Sequence, residues 1–163
     1  MIADNRKFSA IVRQYEKPLY FHIRRLVVSH EDTRDILQNT FIKAYTKLWL
    51  LRNEASLRAW LYRIATNEAL DFLRKNSLES SLDDRLDEAL ADSASIDYIN
   101  DAEIKLQKVL LTLSDRQRLV FSLRYYDDMD YEEISKVTGM SVDTLKVNYH
   151  YAKEKVKKYI EEQ

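Results

Sequence analysis

One glycine, Gly139, and one proline, Pro18, stand in a chain of 163 residues. A sheet protein needs turn residues at almost every hairpin, so this scarcity points to helices joined by short polar connections. Apolar residues make up 45% and charged residues 33%, which allows a packed core and argues against global disorder. The expected fold class is therefore all-α. The absence of cysteine removes disulfides, thiolate metal sites and thiol nucleophiles. No apolar run follows the charges of residues 1–7, and no segment approaches the roughly 18 apolar residues of a membrane span. A soluble, cytoplasmic protein without direct membrane insertion is the expectation.

Charge divides the chain into three. Residues 1–75 carry 14 basic and 8 acidic residues, residues 76–101 carry Arg85 against 8 acids, and residues 102–163 carry 11 of each. A basic block, an acidic strip and a neutral block suggest two small helical domains, 1–75 and 102–163, joined by an acidic flexible linker, 76–101. Within the linker, Ser80-Ser81, Asp83-Asp84 and the run from Ala91 to Ser95 read as solvated chain, with a helical turn around Leu86–Leu90.

Phe8, Ile11, Val12, Tyr15, Leu19, Ile23, Leu26 and Val27 recur at three- and four-residue steps. This spacing predicts a helix over 8–28, kinked or interrupted at Pro18. The polar stretch Ser29–Asp32 reads as a connection. A second helix to about Trp49 would bury Leu37, Phe41, Ala44, Tyr45 and Leu48. A third, capped by Ser56, runs to about Lys75. Its inward residues are Leu61, Ile64, Ala65 and Phe72, leaving Arg63, Asn67, Leu70 and Arg74 outside. Trp60, beside Leu57 and Leu61, reads as core rather than as a stacking surface.

The C-terminal third carries the densest local signals. Ser114–Gln117 has the capping-box form, with Gln117 able to reach back, and opens a helix to about Tyr126. Asp130–Glu133 repeats the form and starts a helix that stops at Gly139, where positive φ favours glycine. Ser141 caps the next helix, whose buried stripe is Val142, Leu145, Tyr149, Ala152 and Val156. The opposite face holds Asp143, Lys146, Val147, His150 and, to one side, Tyr151. A short helix, a glycine turn and a capped second helix form a helix-turn-helix, with lysines 153, 155, 157 and 158 nearby for phosphates.

Two further signatures carry a family resemblance. Asp32-Thr33-Arg34-Asp35-Ile36-Leu37-Gln38-Asn39-Thr40-Phe41 through Tyr45, and Asn53 through Asn67 with Asp71 and Arg74, resemble the second conserved region of bacterial sigma factors. Leu113–Arg118, Tyr131–Ile134 and Gly139–Lys146 resemble their fourth region. Their order and separation resemble an extracytoplasmic-function (ECF) sigma factor of the sigma-70 family. The resemblance implies a subunit that docks on core RNA polymerase, at the β′ clamp helices and the β flap, and reads promoter DNA at −10 and −35. It assigns docking to Arg34, Asp35, Gln38 and Asn39. It assigns the −10 element to Arg52, Asn53, Arg63, Asn67 and Arg74, and the −35 element to Asp143, Lys146, Val147, His150 and Tyr151. An anti-sigma factor is a further implied partner. Asn53 stands where the family carries glycine, with left-handed geometry tolerable to asparagine, and Asn39 replaces a usual glutamate.

No catalytic constellation stands beside these motifs. His22, His30 and His150 lack zinc-ligand spacing, and Asp127-Asp128-Met129-Asp130 lacks the glycine and terminal glutamate of a calcium loop. The acids fit better before a helix N-terminus. No enzymatic activity, cofactor or metal is expected. The alternatives are a dimeric helix-turn-helix regulator acting without polymerase docking, and a helical adaptor that does not bind DNA.

Overall fold

The computed structural model describes residues 2–76 and 101–162. The linker expected at 76–101, with its turn around Leu86–Leu90, lies outside the described residues except for Asn76 and Asp101. Seven α-helices are present among the described residues: α1 Ile2–Val27, α2 His30–Lys47, α3 Leu57–Asn76, α4 Asp101–Thr112, α5 Asp115–Phe121, α6 Tyr131–Thr138 and α7 Val142–Glu161. Short 3-10 turns, Leu48–Leu50 and Glu54–Ser56, lead from α2 into α3. There is no strand among the described residues.

Pro18 neither ends nor interrupts α1. Pro18 and Gln14, whose carbonyl loses its donor, both lie on the exposed side. The unpaired carbonyl is thus left to water, while Leu19, Ile23 and Leu26 bury the other side completely. The connection to α2 is also shorter than the polar stretch 29–32. Val28 takes a left-handed φ of 79°, and Ser29 caps α2 by accepting from the Asp32 amide at 3.3 Å.

The buried side of α2 is Thr33, Ile36, Thr40 and Ala44. Two of these are threonines, which apolar periodicity overlooks. Each hydroxyl donates to a carbonyl four residues back, Thr33 to Ser29 at 2.6 Å and Thr40 to Ile36 at 2.8 Å, so both bury without an unsatisfied group. Leu37, Phe41 and Leu48 flank that stripe half-buried, and Tyr45 is exposed rather than buried. On α3, Tyr62, Thr66, Ala69 and Leu73 join Leu61 and Ala65 in the core.

In the C-terminal half α5 is shorter than expected, giving way at Ser122 to a π-helical turn that runs to Tyr126. Ser114 does accept from the Gln117 amide, at 3.2 Å, but the Gln117 side chain accepts from Lys155 at 3.0 Å instead of reaching back. The lysine on α7 competes for the same oxygen, and the pairing ties α5 to α7. Val109, Leu110, Leu113, Phe121, Ala152 and Val156 form this half's outer core.

A larger core is continuous across both halves. Leu119, Val120, Leu123, Met129, Ile134 and Val137 pack with the buried faces of α1 and α3. The two domains are thus folded onto one another.

Candidate nucleic-acid interface

The turn at Gly139 is built as its sequence requires. Asp130 accepts from the Glu133 amide at 2.8 Å to start α6, and Gly139 closes it at φ 77°, its N–H donating to Ser135 O at 2.8 Å. Ser135 Oγ donates to the Met140 carbonyl at 2.6 Å, and Ser141 accepts from the Thr144 amide at 3.2 Å to start α7. Each helix end within the turn therefore has a partner. Leu145, Ala152 and Val156 of α7 are buried. Asp143, Lys146, Val147, His150 and Tyr151 are all exposed, with Val147 at 53% and Tyr151 at 56%. Such exposure of apolar and aromatic groups on one face leaves surface for a partner to cover. Lys146 lies over the Tyr131 ring at 5.9 Å, and Lys153 over Tyr149 at 4.9 Å, so both ammonium groups are held near the helix pair.

On α3, Arg63, Asn67 and Arg74 are exposed, as are Arg52 and Asn53 in the preceding loop. Two of these already have partners that bear on their use. Arg74 pairs with Asp71 at 2.7 Å. Arg63 Nε donates to the Lys136 carbonyl of α6 at 3.3 Å. Asn53 adopts extended backbone, φ −139°, and its side-chain oxygen accepts from the Ala55 amide at 3.0 Å. The loop thus makes no use of left-handed geometry at this position; Asn53 serves as a cap. Trp60 is half-buried and packs against the core.

Arg34, Asp35, Gln38 and Asn39 are exposed on α2. Arg34, Asp35 and Gln38 rim an open groove of about 750 Å³ between α1 and α2, whose apolar floor includes Phe8, Val12 and Phe41. Phe8 is fixed edge-on to both Phe41 and Tyr45, with centroids at 6.3 and 5.1 Å. Asn39 does not line this groove.

The contact between the halves centres on Asp127, one of the acids that the sequence places ahead of a helix N-terminus. Its side chain is 7% exposed. Oδ1 accepts from Tyr62 at 2.8 Å, Oδ2 accepts from Arg25 at 3.0 Å, and its carbonyl accepts from Arg58. Arg25 also donates to Ser122 Oγ at 2.7 Å and lies over the Tyr126 ring at 4.4 Å. Arg118, buried on α5, donates to the Leu26 carbonyl of α1 at 3.2 Å, and Arg58 meets Glu133 at 3.4 Å. The π-helical turn makes this possible: its wider winding brings Ser122 and Asp127 to one side, with the Asp127 amide donating back to Ser122 O at 3.2 Å.

Burial raises the Asp127 carboxyl above its ordinary range, although Arg25, Tyr62 and Arg58 pull the other way. Burial likewise pushes the Tyr62 phenol up, seconded by the charge of Asp127. His22, wholly buried beneath them, is lowered to about 3 by burial and then by Arg25. It is therefore neutral at pH 7, with Nε2 2.9 Å from Thr66 Oγ1. Among the described residues no group of three or more His, Cys, Asp or Glu side chains could hold a metal, and no helix is long and apolar enough to cross a membrane.

Comparison with known proteins follows the same division. Residues 11–79 match the family model for Sigma-70 region 2, and residues 103–156 match that for Sigma-70, region 4. The RNA polymerase sigma factor SigV of Bacillus subtilis is 31% identical over 126 residues, covering 77% of this chain and 74% of that protein. The ECF RNA polymerase sigma factor SigW of the same organism is 29% identical over 169 residues, covering 96% and 90%. Among solved structures, the sigma factor RpoE of Bartonella quintana, in complex with the anti-sigma factor NepR, superposes with a TM-score of 0.78. It is 23% identical, with 95% of this chain and 97% of that chain covered, and shows the same fold.

Proposed function

The chain belongs to the sigma-70 family, in its extracytoplasmic-function class, and from that premise we propose how its residues divide the work of initiation. As an ECF sigma factor it binds core RNA polymerase and directs promoter-specific transcription initiation. The −35 element falls to α7, with Lys146, Val147 and His150 on base edges and Asp143 and Tyr151 beside them. The −10 element falls to the loop at Arg52 and Asn53 and to Arg63, Asn67 and Arg74 of α3. Arg34, Asp35, Gln38 and Asn39 meet the polymerase clamp, and region 4 meets the β flap. The observation that carries this reading is the face of α7, which is exposed from Asp143 to Tyr151 and aimed by the capped Gly139 turn. An anti-sigma factor belongs among the partners, as the similar RpoE structure holds the anti-sigma factor NepR.

The two readings require different arrangements of the halves. Elements at −10 and −35 are on the order of 80 Å apart along B-form DNA, at ~3.4 Å per base pair. A compact chain of this size has a radius of gyration of roughly 15 Å, so the closed form cannot touch both. The segment 77–100 could span on the order of 80 Å if fully extended. Polymerase and promoter therefore select an opened form, in which the Asp127 contacts are released and Arg63 leaves Lys136 for DNA. Run-off transcription with core polymerase and genomic promoter fragments tests the assignment. A promoter-dependent transcript is expected; no core binding and no transcript would reject it.

A further inference from the structure

Of the three histidines, His30 and His150 are exposed, and His22 alone is wholly buried. It stands on α1 directly beneath the contact between the halves. Nε2 lies 2.9 Å from Thr66 Oγ1, and the ring packs 5.0 Å from that of Tyr62, which donates to Asp127. Nδ1, on the other edge, has no hydrogen-bond partner among the described residues. Asp127 Oδ2 is 3.8 Å from it, beyond hydrogen-bonding reach and already held by Arg25 at 3.0 Å.

Such a setting accepts a neutral imidazole and refuses a charged one. An imidazolium donates from both nitrogens, and in the closed form the Nδ1 proton would be buried without an acceptor. The charged and titratable groups of the seam are already engaged with one another. Asp127 of the π-helical turn is taken up by Arg25 of α1 and Tyr62 of α3, and Glu133 of α6 by Arg58 of α3. Burial, and then the Arg25 charge, hold the ring down to about 3. When the halves part, Asp127 and its turn leave, Nδ1 meets water, and the ring returns towards its ordinary 6.5.

We propose that His22 is a proton-operated release for the contact between the halves: protonation at Nδ1 favours the opened form, so mild acid readies the free chain for polymerase. This rests on the opening described above and adds its trigger. The opened form binds a proton that the closed form refuses, so the ratio of opened to closed chains rises as pH falls below 6.5. Asp127 works against it, because its raised carboxyl takes up a proton first in the closed form. His30 and His150 are exposed and lie outside the seam, so their titration leaves the ratio unchanged.

Single-molecule energy transfer between dyes on Arg13→Cys and Lys157→Cys counts closed and opened molecules of the free, full-length chain as pH is lowered. Asp127→Asn removes the opposing carboxyl. In that background the opened-to-closed ratio should rise about tenfold between pH 7.5 and 5.5, the uptake of one proton by a group of pKa 6.5. The chain with Asp127 intact should show a shallower rise. Adding His22→Gln to Asp127→Asn, with an amide still able to pair with Thr66, should leave the ratio level within about twofold. Helicity by circular dichroism should stay constant while the ratio rises, which separates opening from acid unfolding. A level ratio in Asp127→Asn would overturn the proposal, as would the full rise persisting with His22→Gln, or helicity lost in step with energy transfer. A chain that opens with acid yet yields no promoter-dependent transcript would be a different result, rejecting the promoter assignments above and leaving the release at His22 standing.

Discussion

Tyr62 on α3 donates its phenolic proton to Asp127 Oδ1 across 2.8 Å, and the two residues belong to different halves of the chain. Arg25 closes the other side of the same carboxylate at 3.0 Å. The pair pins the first half of the helix-turn-helix against the helix assigned to the −10 element. A buried carboxylate shared in this way is costly to strand, so the contact breaks as a unit rather than gradually.

Asp127→Ala should therefore destabilise the free chain by about 3 kcal/mol, because it leaves Arg25 and Tyr62 buried without their acceptor. Urea denaturation gives the magnitude, and small-angle scattering should show a larger radius of gyration. Asp127→Asn, which can still accept from Tyr62, should have a smaller effect on both.

Acid should weaken the fold through His22. Its folded pKa of about 3 lies below the ordinary 6.5, so below pH 6.5 the unfolded chain binds a proton that the folded chain refuses. Stability is lost as pH falls from 6.5 towards 3. Between pH 7 and 5.5 the loss from this group should be about 1 kcal/mol, and His22→Gln should flatten that part of the pH profile. The raised carboxyl of Asp127 acts in the opposite sense, its burial penalty growing as pH rises above the ordinary carboxylate range, so it offsets part of the His22 slope.

Gly139→Ala should cost ~1 kcal/mol by thermal or urea unfolding. A Cβ at this position would meet nothing within 4 Å, so the whole cost is conformational, from φ 77°. Gly139→Asn should cost less, since asparagine tolerates the left-handed region.

Lys146→Ala and His150→Ala should each reduce −35-dependent initiation about tenfold or more while leaving core affinity intact, since a base-edge contact is worth ~1–3 kcal/mol. Asp35→Ala should do the reverse, lowering core affinity measured by titration. Lost core affinity in the α7 variants, or an unchanged binding curve for Asp35→Ala, would exchange or remove these assignments.

Local signals were the ones legible in the sequence. The caps at Ser114, Asp130 and Ser141 and the turn at Gly139 depend on residues within a few positions of one another and stand in the structure, while of the α7 stripe Leu145, Ala152 and Val156 are buried and Val142 and Tyr149 half-buried. What escaped depends on distant partners. Asp127 sits in a run of acids that reads as the approach to a helix N-terminus, and Tyr62 and Arg25, 65 and 102 residues away, make it a buried pin. Thr33 and Thr40 are polar by type yet buried, because their hydroxyls are satisfied within the helix. Tyr45 fits the apolar period of α2 but lies outside it, where its hydroxyl donates to Asn5 at 2.9 Å. Trp49 reads as the last residue of a helix but stands exposed on the 3-10 turn that follows α2.

The distance between the two halves is the quantity that most directly tests two-point promoter reading. The chain contains no cysteine, so cysteines introduced at exposed Arg13 on α1 and Lys157 on α7 can be labelled without background. Energy transfer between the labels should report a single short distance in the free chain. In the promoter-bound holoenzyme that distance should lengthen by on the order of tens of ångströms, matching the separation of the two DNA elements. The same short distance in both states would contradict an opening at Asp127 and, with it, the simultaneous reading of −10 and −35 by this chain.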